Sequence, residues 1–253
     1  MTSTFIPSEW LVPNWDAPKN IKSIMTSRQG GFSQVPFDSM NLGDHVDDDL
    51  ATVIRNRASL KQRLRLPNEP LWLTQVHGVT IANADQQQAA NVEADAAVAH
   101  KVGSVCAIMT ADCLPVLFCN QQGTAIAAAH AGWRGLHAGI LEHTAKSLNC
   151  PTEEIMAWFG VAIGAAHFEV GSEVREAFIS TQAKARHAFV PSENKGKWLA
   201  DIYLLARLRL EAIGVKNISG GEYCSYADEQ HFYSYRRKSR TGRMVSLIWM
   251  DKN

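Results

Sequence analysis

Three short segments carry the residues best suited to chemistry: Thr74-Gln75-Val76-His77-Gly78, Ala111-Asp112-Cys113-Leu114-Pro115-Val116 and Ala128-Ala129-His130-Ala131-Gly132-Trp133-Arg134-Gly135. Each sets one strong metal ligand, nucleophile or base in a stretch that reads as buried strand or tight turn. Two imidazoles and a thiolate suffice for a Zn²⁺ site with an open fourth position, which a catalytic zinc has and a structural zinc lacks. His77, Cys113 and His130 would equally make a nucleophile with its base. Sequence does not separate these readings, because both need the same residues in the same place. Singly, each residue has a plainer reading: the histidines as turn residues, the cysteine as a small buried hydrophobe. Asp112 weighs against that. A carboxylate beside a cysteine at a strand break implies a polar pocket, and Asp112 is the candidate to orient a ligating histidine or to move a proton.

Imidazole and thiolate suit zinc, with copper as the competitor. The nine histidines, at 45, 77, 100, 130, 137, 143, 167, 187 and 231, include no His-x-His pair of the kind expected in a multicopper cluster. A single blue-copper centre from His77, Cys113, His130 and Met109 remains open; it would move electrons without fully reducing oxygen.

Anion-binding candidates surround these segments. Gly132-Trp133-Arg134-Gly135 opens a helix, where free backbone N–H groups and the Arg134 guanidinium suit a phosphate or carboxylate. Arg28-Gln29-Gly30-Gly31 pairs an arginine with a turn, and Asn41 follows in Asn41-Leu42-Gly43. Arg236 and Arg237 stand in a loop between aromatic residues and Thr241-Gly242-Arg243. Gln75, two residues before His77, completes the candidate substrate-binding set. His167 is a further candidate to line the pocket. Cys106, Cys119 and Cys224 read as structural, and His137 and His143 as surface or packing residues.

With 253 residues, 25 basic and 25 acidic, the chain has no net charge and offers no electrostatic case for nucleic acid or an anionic membrane. No stretch approaches a membrane span. Residues 1–15 lack a basic start and apolar run, and the five cysteines contain no CxxC pair, so a reducing cytoplasm is the expectation. No linker divides the chain, which reads as one domain over residues 1–253. Strands are expected at 21–26, 71–76, 105–109, 115–119, 123–129, 156–161, 233–235 and 244–249. Helices are expected at 49–64, with Val53, Ile54, Leu60 and Leu64 on one face, and at 136–149, 174–185 and 198–213. Strands and helices mix without strict alternation, which argues for an α+β layered fold and not a doubly wound sheet.

The ordered segments Ser27-Arg28-Gln29-Gly30-Gly31, Asn41-Leu42-Gly43, Gln75-Val76-His77-Gly78, 110–116 and 130–135 resemble those of the YfiH family. The match continues through Ile163-Gly164, Phe168-Glu169-Val170-Gly171, Asp201, 234–237 and Thr241-Gly242-Arg243. The family is also called laccase-domain or multicopper polyphenol oxidase-like, and in bacteria peptidoglycan editing factor. The resemblance implies an α+β domain of packed mixed sheets flanked by helices, similar to the cysteine-hydrolase domain of cytotoxic necrotizing factor. It implies zinc on His77, Cys113 and His130. It implies phosphorolysis of purine nucleosides (adenosine, inosine, guanosine, methylthioadenosine) and adenosine deamination. For the bacterial branch it implies removal of L-serine from a UDP-muramyl precursor. The partners would be a nucleoside and phosphate, or a UDP-muramyl amino acid. A non-enzymatic, metal-dependent binding protein is the remaining reading. One departure stands out: Gly160-Val161-Ala162 precedes Ile163-Gly164 where the family often has Gly-Pro.

Overall fold

Apolar residues that alternate along the strands divide the interior into layers. The computed structural model describes residues 7–86 and 92–252. In chain order the strands and helices are β1 (Ile21–Met25), α1 (Leu50–Leu64), β2 (Leu73–Thr74), β3 (Ile81–Asn83), β4 (Val92–Glu93), β5 (Ala96–Ala99), β6 (Val105–Thr110), β7 (Leu114–Asn120), β8 (Ile126–Ala131), α2 (Trp133–Ala138) and α3 (Ile140–Ser147). They continue with β9 (Ile155–Phe159), β10 (Glu169–Gly171), α4 (Ser172–Thr181), β11 (Phe189–Pro191), β12 (Lys197–Ala200), α5 (Ile202–Ala212), β13 (Asn217–Gly220) and β14 (Met244–Met250).

Six strands form the large sheet in the order β13-β9-β7-β8-β5-β3, antiparallel at its centre and parallel at both edges. An antiparallel sheet, β1-β14-β6, packs on one face of it. Side-chain alternation makes this possible. On β6, Cys106 and Ile108 meet Leu117, Cys119, Ile126 and Ala128 of the large sheet, while Val105, Ala107 and Met109 turn to Leu60 and Leu64 of α1. On β7 and β8, Leu114, Val116, Phe118, Ala127 and Ala129 face Ile140, Leu141, Leu205 and Leu210 of α3 and α5. The result is an α/β/β/α stack of mixed sheets flanked by helices, the α+β architecture expected. Two small sheets, β10-β12-β11 and β2-β4, decorate it.

Several boundaries depart from expectation, each for a local reason. The helix expected at 198–213 begins at Ile202, because residues 198–200 pair with β10 and β11; Asp201 then caps α5, accepting from Leu204 N–H at 2.9 Å. The helix expected at 136–149 starts at Trp133 and breaks at Gly139, whose φ of 98° a residue with Cβ rarely adopts. That expected at 174–185 runs from Ser172 to Thr181 and tightens to a 3₁₀ turn. The strand expected at 233–235 is a loop held by the Tyr233 hydroxyl, which donates to the Phe37 carbonyl at 2.5 Å. The strand expected at 71–76 shortens to Leu73–Thr74, since the chain turns at Val76 onto a buried carboxylate described below. Ile54, expected on the buried face of α1, is 58% exposed, while Val53, Leu60 and Leu64 are buried. Gln87 and Gln88 lie outside the described residues. No helix among the described residues is long and apolar enough to cross a membrane.

Candidate metal centre

His130 lies near the end of β8, opposite Pro115 of β7. Its imidazole Nδ1 is 2.8 Å from the Asp95 carboxylate, which leaves Nε2 for the site. Asp95 stands just before β5, fully buried. It also accepts from the backbone N–H groups of Val76 at 3.2 Å, His77 at 2.9 Å and Gly78 at 2.6 Å. One carboxylate thus orients one histidine through its ring and the other through its backbone. His77 takes a left-handed φ of 62° to make that turn. Cys113 follows Asp112, whose φ of 94° is more strained still. Asp112 is held there by three donors: Ile163 N–H to its carbonyl at 2.9 Å, and the Ser225 hydroxyl and Arg236 N–H to its carboxylate at 2.6 and 2.7 Å.

These turns bring the ligand atoms of His77, Cys113 and His130 within 4.8 Å of one another. The Cys113 sulfur is 3.7 Å from His77 Nε2, and the two imidazole rings meet edge-on at 4.7 Å. Gly132 packs against the trio. A Cβ there would lie 2.6 Å from His77 Cδ2 and 3.1 Å from the Cys113 sulfur, so only glycine leaves room for the ligands. Burial opposes ionisation of Cys113, but the His130 charge and hydrogen bonds from both histidines outweigh it and bring the thiol down to about 6. Burial likewise opposes the His130 cation, but the Cys113 thiolate and Asp95 raise it to about 9. Burial works against the Asp95 charge too, yet His130 and the backbone donors hold its carboxyl below the ordinary range. An ionised thiolate, two imidazoles and a carboxylate behind one of them form a donor set that can hold a metal ion.

The trio opens into a cleft of about 450 Å³. Arg134, Arg236 and Arg243 line it, with the aromatic residues Trp133, Phe168 and Tyr235. Arg134 lies 4.6 Å over the Trp133 ring and Arg236 5.2 Å over Phe168. Gln75 also lines the cleft, but its amide is spent on both backbone groups of Met109, each at 2.8 Å.

The remaining expectations need correction. Arg28 points elsewhere, paired with Asp38 at 3.1 Å in a separate surface cleft. Asn41 is fully buried and hydrogen-bonds Gly43 and Arg243 backbone, a scaffold role. Arg237 donates to the carbonyls of Ser225, Tyr226 and Phe232, tying the loop shut. Asp112 lines the cleft but orients no histidine; Asp95 does. The Met109 sulfur lies 3.8 Å from Arg57, and Met109 lines the cleft together with the trio. His167 does not line the cleft and stacks on Tyr226 at 4.7 Å. Asp95, His45, Tyr235 and Arg243 were missed. For Asp95 a signal existed: a lone carboxylate in Ala94-Asp95-Ala96-Ala97, at the mouth of a strand too apolar to bury it unpaired. Tyr235 and Arg243 lie within the singled-out segments 234–237 and Thr241-Gly242-Arg243, whereas His45 carries no local signal.

Residues 22–251 match the family model described as multi-copper polyphenol oxidoreductase laccase. The chain is 55% identical to a purine nucleoside phosphorylase of Pseudomonas aeruginosa, over 96% of this chain and 98% of the relative. It is 50% identical to the purine nucleoside phosphorylase YfiH of Escherichia coli, over 96% and 99%. Among solved structures, a Neisseria meningitidis protein superposes with a TM-score of 0.93 at 46% identity, covering 97% of this chain and all of that one. YlmD from Geobacillus stearothermophilus superposes at 0.85 with 29% identity, over 92% and 93%. With layers, turns and ligand trio in place, and relatives matched from end to end, the chain belongs to the YfiH family, whose model carries the laccase description.

Proposed function

We propose that this protein is a zinc-dependent purine nucleoside phosphorylase acting on adenosine, inosine, guanosine and methylthioadenosine, with adenosine deaminase activity. The observation that carries the reading is one cleft that joins a His-Cys-His group to three guanidinium groups and three aromatic rings. The names of the relatives point the same way. Zinc suits this donor set of two imidazoles and one thiolate, which is too small for a multicopper cluster. His77, Cys113 and His130 would hold the ion, which when bound supplies a Lewis acid.

The other roles belong to the chain's own residues. Arg134 and the start of α2 bind phosphate; Arg236 and Arg243 each hold one guanidinium nitrogen on backbone carbonyls, of Glu169 and of Thr241 and Gly242, and offer the rest of the group to the anion. Trp133, Phe168 and Tyr235 offer faces to a purine. A phosphate oxygen bonds to the anomeric ribose carbon as the bond from that carbon to the purine nitrogen breaks; the base leaves with the electron pair and takes up the proton that the phosphate gives up. Asp112 accepts a hydrogen bond on each carboxylate oxygen, from Ser225 and Arg236, and so positions the Cys113 turn. The cysteines, all unpaired, suit a cytoplasmic setting.

One geometry favours a second reading. Cys113, His130 and Asp95 line up as thiol, imidazole and carboxylate, the order of a cysteine hydrolase. That order suits amide hydrolysis of a UDP-muramyl amino acid, with the arginines on its diphosphate or carboxylate. To decide, the zinc-loaded protein is incubated with adenosine and inosine, with and without phosphate, and the products are identified by mass spectrometry. Phosphate-dependent release of base and ribose 1-phosphate is expected. No product from either nucleoside would overturn the phosphorylase reading and leave the amidase.

A further inference from the structure

A departing purine needs a proton on its ring, and few side chains of the cleft are free to give one. Of the titratable groups that line it, His77, Cys113 and His130 form the ligand trio, and both carboxylate oxygens of Asp112 are taken by Ser225 and Arg236. Tyr235 and His45 remain. His45 stands in the loop before α1, its side chain 54% exposed and lining the cleft. Its Nδ1 faces Asp44 at 3.5 Å, and Asp44 is itself held by Arg57 of α1 at 3.2 Å. That leaves Nε2 without a hydrogen-bond partner among the described residues. Gly43 lets this loop close on Arg243: a Cβ there would lie 2.8 Å from Cγ of the arginine. Partial burial and the Arg243 guanidinium hold the His45 imidazole below its ordinary range, with a smaller push from Arg57, while Asp44 works against them.

We propose that His45 is a catalytic residue of the phosphorolysis, the acid that protonates the departing purine at N7 with the proton given up by phosphate. The inference rests on the nucleoside reading above. A carboxylate behind one ring nitrogen and an open cleft before the other is the arrangement that proton transfer uses. Tyr235 has no such orienting partner among the described residues. Before phosphate binds, Arg243 keeps the imidazole neutral and able to accept. A phosphate monoanion on Arg243 offsets that guanidinium, and its proton passes to Nε2, giving imidazolium and phosphate dianion; Asp44 stabilises the new charge. A phosphate oxygen then bonds to the anomeric carbon as the carbon–nitrogen bond breaks. The electron pair of that bond enters the purine ring, and N7 takes the proton from Nε2. The imidazole ends neutral, as it began, so the proton that phosphate loses is the one the base gains.

The test compares guanosine with 7-methylguanosine, whose methylated N7 lets the base leave as a neutral molecule with no proton added. The rates are kcat/KM at fixed phosphate on the zinc-loaded protein. His45→Gln falls in a loop, on a half-exposed side chain, and spares the core. It should slow guanosine about a hundredfold, the usual worth of a positioned acid, and 7-methylguanosine hardly at all. Free imidazole should restore guanosine turnover to His45→Ala. His231→Gln removes another histidine that faces a carboxylate, Asp228 at 2.9 Å, outside the cleft lining, and should leave both rates alone. Equal loss on both nucleosides in His45→Gln, or no loss, would overturn the proposal. So would a guanosine-selective loss in Tyr235→Phe with His45→Gln unaffected, which would give the proton to the phenol. Should wild type reject 7-methylguanosine, the imidazole rescue decides: recovery supports His45, and no recovery overturns it. A wild type with no phosphate-dependent turnover of guanosine sinks the nucleoside reading and His45 with it; turnover that survives the His45 changes sinks His45 alone.

Discussion

Two cysteine–histidine pairs stand in this fold, and their surroundings differ. Cys113 lies 3.7 Å from His77, and a carboxylate backs the second histidine, His130. Cys224 lies 3.6 Å from His167 Nδ1, yet that ring stacks on Tyr226 and no carboxylate is bonded to it among the described residues. Backbone N–H groups of Gly164 and Ala227 fill the Cys224 sulfur at 3.2 and 3.4 Å. The first pair opens on a cleft lined by three arginines; the second lines none of the cavities described. Distance between sulfur and imidazole therefore does not make a site. Asp95 behind one ring, and room in front of the sulfur, do.

The largest effect that would sharpen this contrast is on metal content. Cys113→Ala should lose bound zinc and lower turnover by about a thousandfold, as loss of a ligand from a catalytic centre predicts, while Cys224→Ala keeps both. Zinc per chain by mass spectrometry and kcat/KM measure it; equal losses in the two variants would erase the distinction. Asp95→Asn comes next. Outer-shell partners of metal-bound histidines are worth about 10–100-fold in metal affinity, and this one also fixes the His77 turn. His167→Ala should leave zinc affinity unchanged by competitive chelator titration.

In the metal-free protein, alkylation of Cys113 should inflect near pH 6, far below an ordinary thiol, and added zinc should suppress it. Stability follows the same groups. The lowered thiol contributes stability that is lost as pH falls through about 6. The raised imidazole contributes stability that is lost as pH rises through about 9. Metal-free wild type should therefore exceed Cys113→Ser in Tm most clearly between those limits, and a pH-independent gap would contradict the charge pair. The smallest effect concerns the exposed rim of the cleft: Arg134→Ala should raise the KM for phosphate about tenfold and the nucleoside KM less. An unchanged phosphate response would make Arg134 a partner of the Trp133 ring alone.

The ligand trio was legible because each member sits beside residues that are hard to explain otherwise: His77 before Gly78, Cys113 after Asp112, His130 before Gly132. The α1 helix was legible from its period and from Asp49, whose carboxylate caps Thr52 N–H at 2.8 Å. The run from Trp198 to Ala200 was not. Its helical pattern continues that of α5, and only pairing with β10 and β11 draws it into a sheet. Arginines misled most. Arg28 and Arg237 sit in turns as suggestive as that of Arg134, and a guanidinium looks the same in sequence whether it faces a ligand or a row of carbonyls.

Sequence by itself determined the chemistry available to this protein: two imidazoles and a thiol at strand ends, a glycine-opened helix start, and enough alternating apolar residues for packed sheets. Which carboxylate serves them was decided in three dimensions. Asp112 is one bond from Cys113 along the chain, yet its oxygens are taken by Ser225 and Arg236 from the far end of the sequence. Asp95, 18 residues from His77 and 35 from His130 along the chain, reaches the His130 ring because β5 pairs with β8, and holds His77 through the backbone turn that donates to it. Covalent neighbours share a backbone; strand pairing decides which side chains share a site.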